Sequence, residues 1–322
     1  MKKALITGIN GFAGSYLAEY LISAGKEVFG TVLEGESLEN LSAIRERVKL
    51  IPCRIQEKEE VQDAVSQVVP DEVYHLAAIA FVMDSWQDPR MAFEVNAMGT
   101  MNLYEACIRA HISPWIVSVL SADVYGVLQE EDMPIREEQP LRPVHPYGLS
   151  KATADLIGYH YFYAYNLPII RVRPFNHIGP RQNPKFVCSD FAYQIAGIEL
   201  GLHEPFIETG NLDARRDFTD VRDTVRAYGM LAAAGKPGEV YHVSSGKAVS
   251  IQYILDLFLE MARVKIEIRV NPAKLRHSDI PIQVGDSTRL RTQTGWAPEI
   301  PLQRTLEDIL AYWRTQLALR KA

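Results

Sequence analysis

The sequence predicts an α/β fold: a doubly wound parallel sheet followed by a smaller C-terminal α/β lobe. Three observations carry that expectation. Short apolar runs alternate with helical patterns through residues 1–174, as in βα units whose helices cover both faces of a parallel sheet. The first apolar run ends in a glycine-rich turn near the start of the chain. Beyond Pro174 the alternation gives way to helices separated by long loops, so the chain divides at 1–174 and 175–322, with some later strands free to rejoin the main sheet.

Lys3-Ala4-Leu5-Ile6-Thr7 has the composition of a buried parallel strand. Gly8, Gly11 and Gly14 follow in G-x-x-G-x-x-G, and Ser15 to Leu21 continue with helical spacing. Small residues keep such a turn tight and let the backbone approach a pyrophosphate at the helix N-terminus. A plain strand-turn-helix also uses glycines, but the placement between first strand and first helix favours dinucleotide binding. A second strand is expected at Glu27 to Leu33. Strands of this kind often end in an acid for the ribose 2′-hydroxyl, or lie near an arginine for a 2′-phosphate. Val32 and Leu33 hold those places and Glu34 follows, which leaves NADH and NADPH both open.

Further units are expected at Val48 to Pro52 with helix Glu57 to Val69, and at Glu72 to Leu76 with helix Met91 to Ala110. His75-Leu76-Ala77-Ala78 puts small residues at a strand's C-terminal end, where ligands bind in such sheets; His75 itself reads as a satisfied core histidine. Trp115 to Leu120 and Pro168 to Arg173 give two more strands. Between them Pro140 to Pro146 reads as a loop delivering Tyr147 to a helix over Lys151 to Tyr165. Past Pro174, helices are expected at Asp190 to Gly201, Val221 to Ala234, Ser250 to Ala262 and Leu302 to Leu317, with a strand at Val240 to Ser244.

Tyr147 and Lys151 stand four apart, so on a helix both project from one face. A phenol with an ordinary pKa of about 10 is a poor acid or base at neutral pH, and a nearby ammonium stabilises its anion. Y-x-x-x-K alone also describes an ordinary amphipathic helix; the glycine turn and Ser121 at a strand end give it catalytic meaning.

The net charge of -6 excludes bulk electrostatic binding to nucleic acid or an anionic membrane surface. No apolar run approaches the ~20 residues of a membrane span, and Ala4-Leu5-Ile6 is too short for the core of a signal peptide. Cys53, Cys107 and Cys188 are scattered without metal-ligand spacing. A cytoplasmic protein with reduced thiols and no metal is expected.

Together Gly8-x-x-Gly11-x-x-Gly14, Ser121 and Tyr147-x-x-x-Lys151 resemble the extended short-chain dehydrogenase/reductase family along the whole chain. The resemblance implies a Rossmann sheet holding NADPH or NADH, with Gly8, Asn10, Gly11, Phe12, Ala13, Gly14, Leu76, Ala77, Ala78, Asn96, Tyr147, Lys151, Pro174 and His177 on the cofactor side. It implies that Ser121 polarises a substrate carbonyl, Tyr147 moves the proton, and Lys151 binds the nicotinamide ribose and lowers the tyrosine's pKa. Arg173 to Gln182 and Gly210 to Phe218 resemble the nucleotide-sugar branch, and the latter its GDP-mannose enzymes. Ser121, Asp123, Asn176, Phe186, Arg216, Arg276 and Asp279 are the substrate residues so implied, Arg216 with bidentate reach for a diphosphate. A homodimer formed through a four-helix bundle is expected on the same ground.

Within that branch, dehydratases carry Thr-Ser-Glu before Leu-Tyr-Gly; here Ser121-Ala122-Asp123 precedes Val124-Tyr125-Gly126. A carboxylate one methylene shorter is badly placed for a proton transfer that needs hydrogen-bond reach. Phe186 to Ile195 and Arg216 to Asp223 instead resemble the GDP-6-deoxy-4-keto-D-mannose reductases, which form GDP-D-rhamnose. The competing readings are a GDP-mannose 4,6-dehydratase or nucleotide-sugar 4-epimerase, and, from a different class, a non-catalytic dinucleotide sensor or scaffold. The Tyr159 to Tyr165 aromatic run is expected in the core or a subunit interface rather than stacked on a base.

Overall fold

A computed structural model describes residues 1–274 and 280–321. β1 (Lys3–Thr7), β2 (Glu27–Val32), β3 (Val48–Pro52), β4 (Glu72–His75), β5 (Trp115–Val119) and β6 (Ile169–Pro174) form one parallel sheet. The strand Val240–Val243 adds to its edge, giving the order (240–243)-β6-β5-β4-β1-β2-β3. The chain winds outward from β1 to β3, then returns to place β4 on the other flank of β1. That reversal opens a crevice beyond the strand ends, where ligands of such sheets bind.

Strand residues point alternately to opposite faces, and both faces here are apolar. Ala4 and Ile6 join a core made with the helices Phe12–Ser23 and Val221–Ala234. Leu5 joins the opposite core, made with Lys58–Val68, Gly99–Arg109 and Tyr161 of Pro146–Tyr165. The main layer therefore recruits residues 221–243 from beyond Pro174. The second lobe has its own core among the helices Val187–Glu199, Ile251–Met261 and Leu302–Lys321. A small sheet there sets Arg215–Asp220 beside Asn176–Ile178, Ala248–Ser250 and Ile282–Gln283.

Two helices differ from the sequence expectation. The tyrosine helix begins at Pro146, inside the expected loop, because proline at the first helical position fits the helix without sacrificing an N–H that needs a partner. His145 caps it, its Nδ1 accepting from Gly148 N–H at 3.0 Å. The expected Met91–Ala110 helix is Pro89–Phe93 and Gly99–Arg109 joined by a π-turn at Glu94–Met98. Among the described residues no helix is long and apolar enough to cross a membrane, and all three cysteines are buried free thiols.

Candidate active site

One cleft of about 1160 Å³ runs from the glycine turn, past the ends of β4 and β5, to the second lobe. At its first end Gly8 adopts φ +71°, and a Cβ there would sit 3.0 Å from Ala77 Cα. A Cβ on Gly14 would come within 2.3 Å of the Gly8 carbonyl, so only glycine lets the turn close. Gly11 caps the first helix without a side chain, which leaves the first-turn amides available at the cleft. Leu76 and Ala77 N–H both donate to Thr7 Oγ1 at 3.1 Å. Thr7 in turn meets His75 Nδ1 at 2.8 Å, and His75 Nε2 meets Thr100 Oγ1 at 2.9 Å. His75 is thus a satisfied core histidine, kept neutral by burial and by the charge of Lys151, its pKa pushed down to about 3.

At mid-cleft Ser121 stands two residues past the strand Trp115–Val119, and Tyr147 and Lys151 project from the first turns of their helix. The Ser121 hydroxyl accepts from Asp123 N–H at 3.1 Å and is hydrogen-bonded to the Tyr147 phenol. Burial, then the negative charge of Asp123, push that phenol above its ordinary pKa, while the Ser121 bond pulls the other way. Lys151, expected from sequence to lower it, is turned onto the Val119 carbonyl at 2.9 Å. Burial also brings the Lys151 ammonium down to about 8.

The cleft is lined by Gly8, Asn10, Gly11, Phe12, Ala13, Gly14, Leu76, Ala77, Ala78, Ser121, Asp123, Tyr147, Lys151, Pro174, Asn176, His177, Phe186 and Arg216. Asn96, expected on the cofactor side, does not line it. The π-turn buries its amide, which accepts from Ile79 N–H at 2.8 Å and donates to Ser150 Oγ at 2.9 Å, tying the loop after β4 to the tyrosine helix. Arg276 and Asp279 lie outside the described residues. Glu34 is not among the lining residues; Glu36, not singled out from sequence, is.

Sequence reasoning also missed the partners of Asp123. Its Oδ2 lies 3.5 Å from His145 Nε2, and its Oδ1 accepts from Gln283 Nε2 at 3.2 Å. Because Gly148 N–H donates to Nδ1, a neutral His145 carries its proton on Nε2, facing the carboxylate. No spacing signals Gln283, which arrives on a two-residue strand 160 positions away. On the second-lobe side Asn176 Nδ2 is buried with no hydrogen-bond partner among the described residues. Phe186 packs edge-on against Phe81 with ring centres 5.4 Å apart. Arg216 stands beside Asp217, whose buried carboxylate accepts from Ser245 N–H and Oγ and from Gly246 N–H at 2.6–2.9 Å.

The family model described as GDP-mannose 4,6 dehydratase matches residues 5–309. GDP-6-deoxy-D-mannose reductase of Pseudomonas aeruginosa is 33% identical, over 98% of this chain and 98% of the relative. GDP-mannose 4,6-dehydratase of Yersinia enterocolitica is 29% identical, over 97% and 93%. The solved structure of RMD from Pseudomonas aeruginosa complexed with NADPH superposes with a TM-score of 0.85 at 32% identity, covering 98% of this chain and 100% of that one. A glycine turn, a serine–tyrosine–lysine cluster and a second lobe closing one cleft are thus accompanied by similarity along nearly the whole chain: the protein belongs to the GDP-mannose 4,6-dehydratase family, among the extended short-chain dehydrogenases/reductases.

Proposed function

We propose that the protein reduces the 4-keto group of GDP-4-keto-6-deoxy-D-mannose to give GDP-D-rhamnose, using NADH or NADPH. The observation that carries this reading is the state of Asp123. The carboxylate that elimination would need is a methylene short and engaged on both oxygens by His145 and Gln283. Ser121, Tyr147 and Lys151 meanwhile share one cleft, which favours an enzyme over a dinucleotide sensor.

The cleft fits a dinucleotide: the Gly8–Gly14 turn closes tightly only because Gly14 has no Cβ to strike the Gly8 carbonyl, and uncapped amides begin the helix behind it. Gly8, Asn10, Gly11, Phe12, Ala13, Gly14, Leu76, Ala77, Ala78, Pro174 and His177 would hold the cofactor, mainly from segment 1–174. Reduced nicotinamide bound there supplies the hydrogen and electron pair delivered to C4 of the sugar. Tyr147 gives its proton to the oxygen on C4, and Ser121 donates a hydrogen bond to that oxygen as charge develops on it. Reduction needs a protonated phenol at the outset, which burial and Asp123 maintain. Lys151 holds positive charge beside the reacting groups. From segment 175–322, Arg216 pairs with the diphosphate, Asn176 offers its buried Nδ2, and Phe186 closes over the sugar, so that binding away from C4 orients it.

The test is an assay with each reduced cofactor, offering GDP-4-keto-6-deoxy-D-mannose or GDP-mannose. Cofactor oxidation with the ketone alone is expected. Conversion of GDP-mannose without added reductant would establish the second reading, a dehydratase, which the family model and the Yersinia relative favour.

The reading extends to a cytoplasmic homodimer. Leu149, Leu156 and Tyr163 recur every seventh residue on the tyrosine helix, with Tyr159 beside them, and all four are exposed, Tyr163 at 77%. Such a stripe suits helix-on-helix packing. Sedimentation of the chain and of Leu156→Arg checks it; a monomeric parent chain rules the dimer out.

A further inference from the structure

The loop after β2 borders the cleft beside the glycine-rich turn. Gly35 turns the chain with φ +81°, and Glu36 N–H donates back to Leu33 O at 3.3 Å. The turn leaves Glu34 in solvent and brings Glu36 onto the glycine-rich turn, where one carboxylate oxygen accepts from Asn10 Nδ2 at 2.9 Å. The same amide group donates to Ser37 O at 3.2 Å, and Asn40 Nδ2 donates to Asn10 O at 3.0 Å. Asn10 is thus fixed by Ser37 and Asn40 and in turn holds the exposed Glu36 carboxylate at the cleft wall formed with Leu33, Ser37, Glu39 and Asn40. Its Oε1 has no partner among the described residues.

The loop itself carries charge of one sign. Residues 33–44 include Glu34, Glu36 and Glu39 and not one lysine or arginine. Arg181 and Arg320 also line the cleft, but the Arg181 guanidinium pairs with Glu19 at 2.8 Å and lies over the Tyr16 ring at 4.5 Å. It also donates to the Asn40 carbonyl at 3.5 Å. A ribose 2′-hydroxyl can donate to a carboxylate. A 2′-phosphate carries only acceptors and negative charge there, and the Glu36 carboxylate repels it.

We propose that Glu36 is the cofactor-specificity residue of this protein: its open carboxylate oxygen accepts the ribose 2′-hydroxyl of NADH, and its charge disfavours NADPH. The proposal rests on the dinucleotide reading of the cleft and is independent of the sugar. It sets this chain apart from the Pseudomonas structure, which is complexed with NADPH.

The test is equilibrium binding of NADH and NADPH to the full chain by titration calorimetry, without sugar substrate. NADH is expected to bind at least roughly tenfold tighter, with the gap narrowing as salt rises and screens the repulsion. Glu36→Gln should bring the two within about threefold, mainly by improving NADPH, and Glu36→Arg should reverse the order. Glu34→Gln should leave the ratio where it was. Equal or tighter NADPH binding by the parent chain, or an unmoved ratio in Glu36→Gln, overturns the proposal. A selective NADPH loss in Arg181→Ala or Arg320→Ala would do the same, by placing the 2′-phosphate on arginine instead. If neither dinucleotide binds at millimolar concentration, the cofactor reading of the cleft fails as well, a result distinct from both binding equally.

Discussion

The two ends of the cleft are built in opposite ways. The glycine turn, its strand and its helix come from one continuous segment, and their geometry follows from excluded volume: Gly14 is tolerated because a single methyl would strike the Gly8 carbonyl. The second-lobe end is assembled from strands far apart in sequence. Arg216 owes its position to Val249 on one side and Gln283 on the other, and Asp217 fastens that strand to Ser245 and Gly246. A locally encoded site keeps its shape through steric exclusion; a dispersed one keeps it through buried hydrogen bonds. Damage at one end should therefore spare the other.

The sharpest probe is the group between them. Tyr147→Phe should lower turnover by roughly 10³-fold while both ligands bind within a few-fold of normal, as single-turnover and binding measurements would reveal; near-normal turnover would remove Tyr147 as proton donor. Lys151 gives the next largest effect, in stability. Its folded-state pKa is depressed from 10.5 to about 8, so below pH 8 the buried ammonium lowers stability. Between pH 8 and 10.5 the folded protein releases a proton that the unfolded chain keeps, and stability rises with pH. The full swing is on the order of 3 kcal/mol. Urea unfolding across that range should show a rise that Lys151→Met lacks, and identical pH profiles would refute the assignment.

Gly14→Ala should cost about 1–3 kcal/mol through overpacking and weaken dinucleotide binding, leaving the affinity for a GDP-sugar nearly untouched. Arg216→Ala is its mirror image. Loss of a charge-assisted pair should weaken nucleotide-sugar binding roughly 10- to 50-fold with dinucleotide affinity unchanged. Equal losses of both ligands in either variant would erase the distinction between the two ends.

The same contrast governs what the sequence made legible. The glycine turn, Ser121, and Tyr147 with Lys151 depend on neighbours within a few residues, and they line one cleft as expected. The strand Arg215–Asp220 carries no apolar alternation, because Asp217 and Asp220 are buried against hydrogen-bonding partners that only the tertiary fold supplies. The π-turn that removes Asn96 from the cleft has no local signature. Glu34 and Glu36 are indistinguishable by composition; the positive φ of Gly35 separates them, sending one to solvent and the other onto Asn10. Helix starts can also mislead, since Pro140 to Pro146 reads as a loop until Pro146 is recognised as a first helical residue.

The late strand Val240–Val243 has a consequence for how the protein comes into being. While a ribosome is still making the middle of the chain, β6 is an unpaired parallel edge, and the sheet face awaiting Val221–Ala234 is bare. Parallel pairing across long sequence separations forms slowly, and exposed edges invite association with other chains. The first half of this protein is thus a dependent fragment during its synthesis. Chaperone demand should peak before residue 243 leaves the exit tunnel, and a product truncated after β6 should aggregate rather than fold.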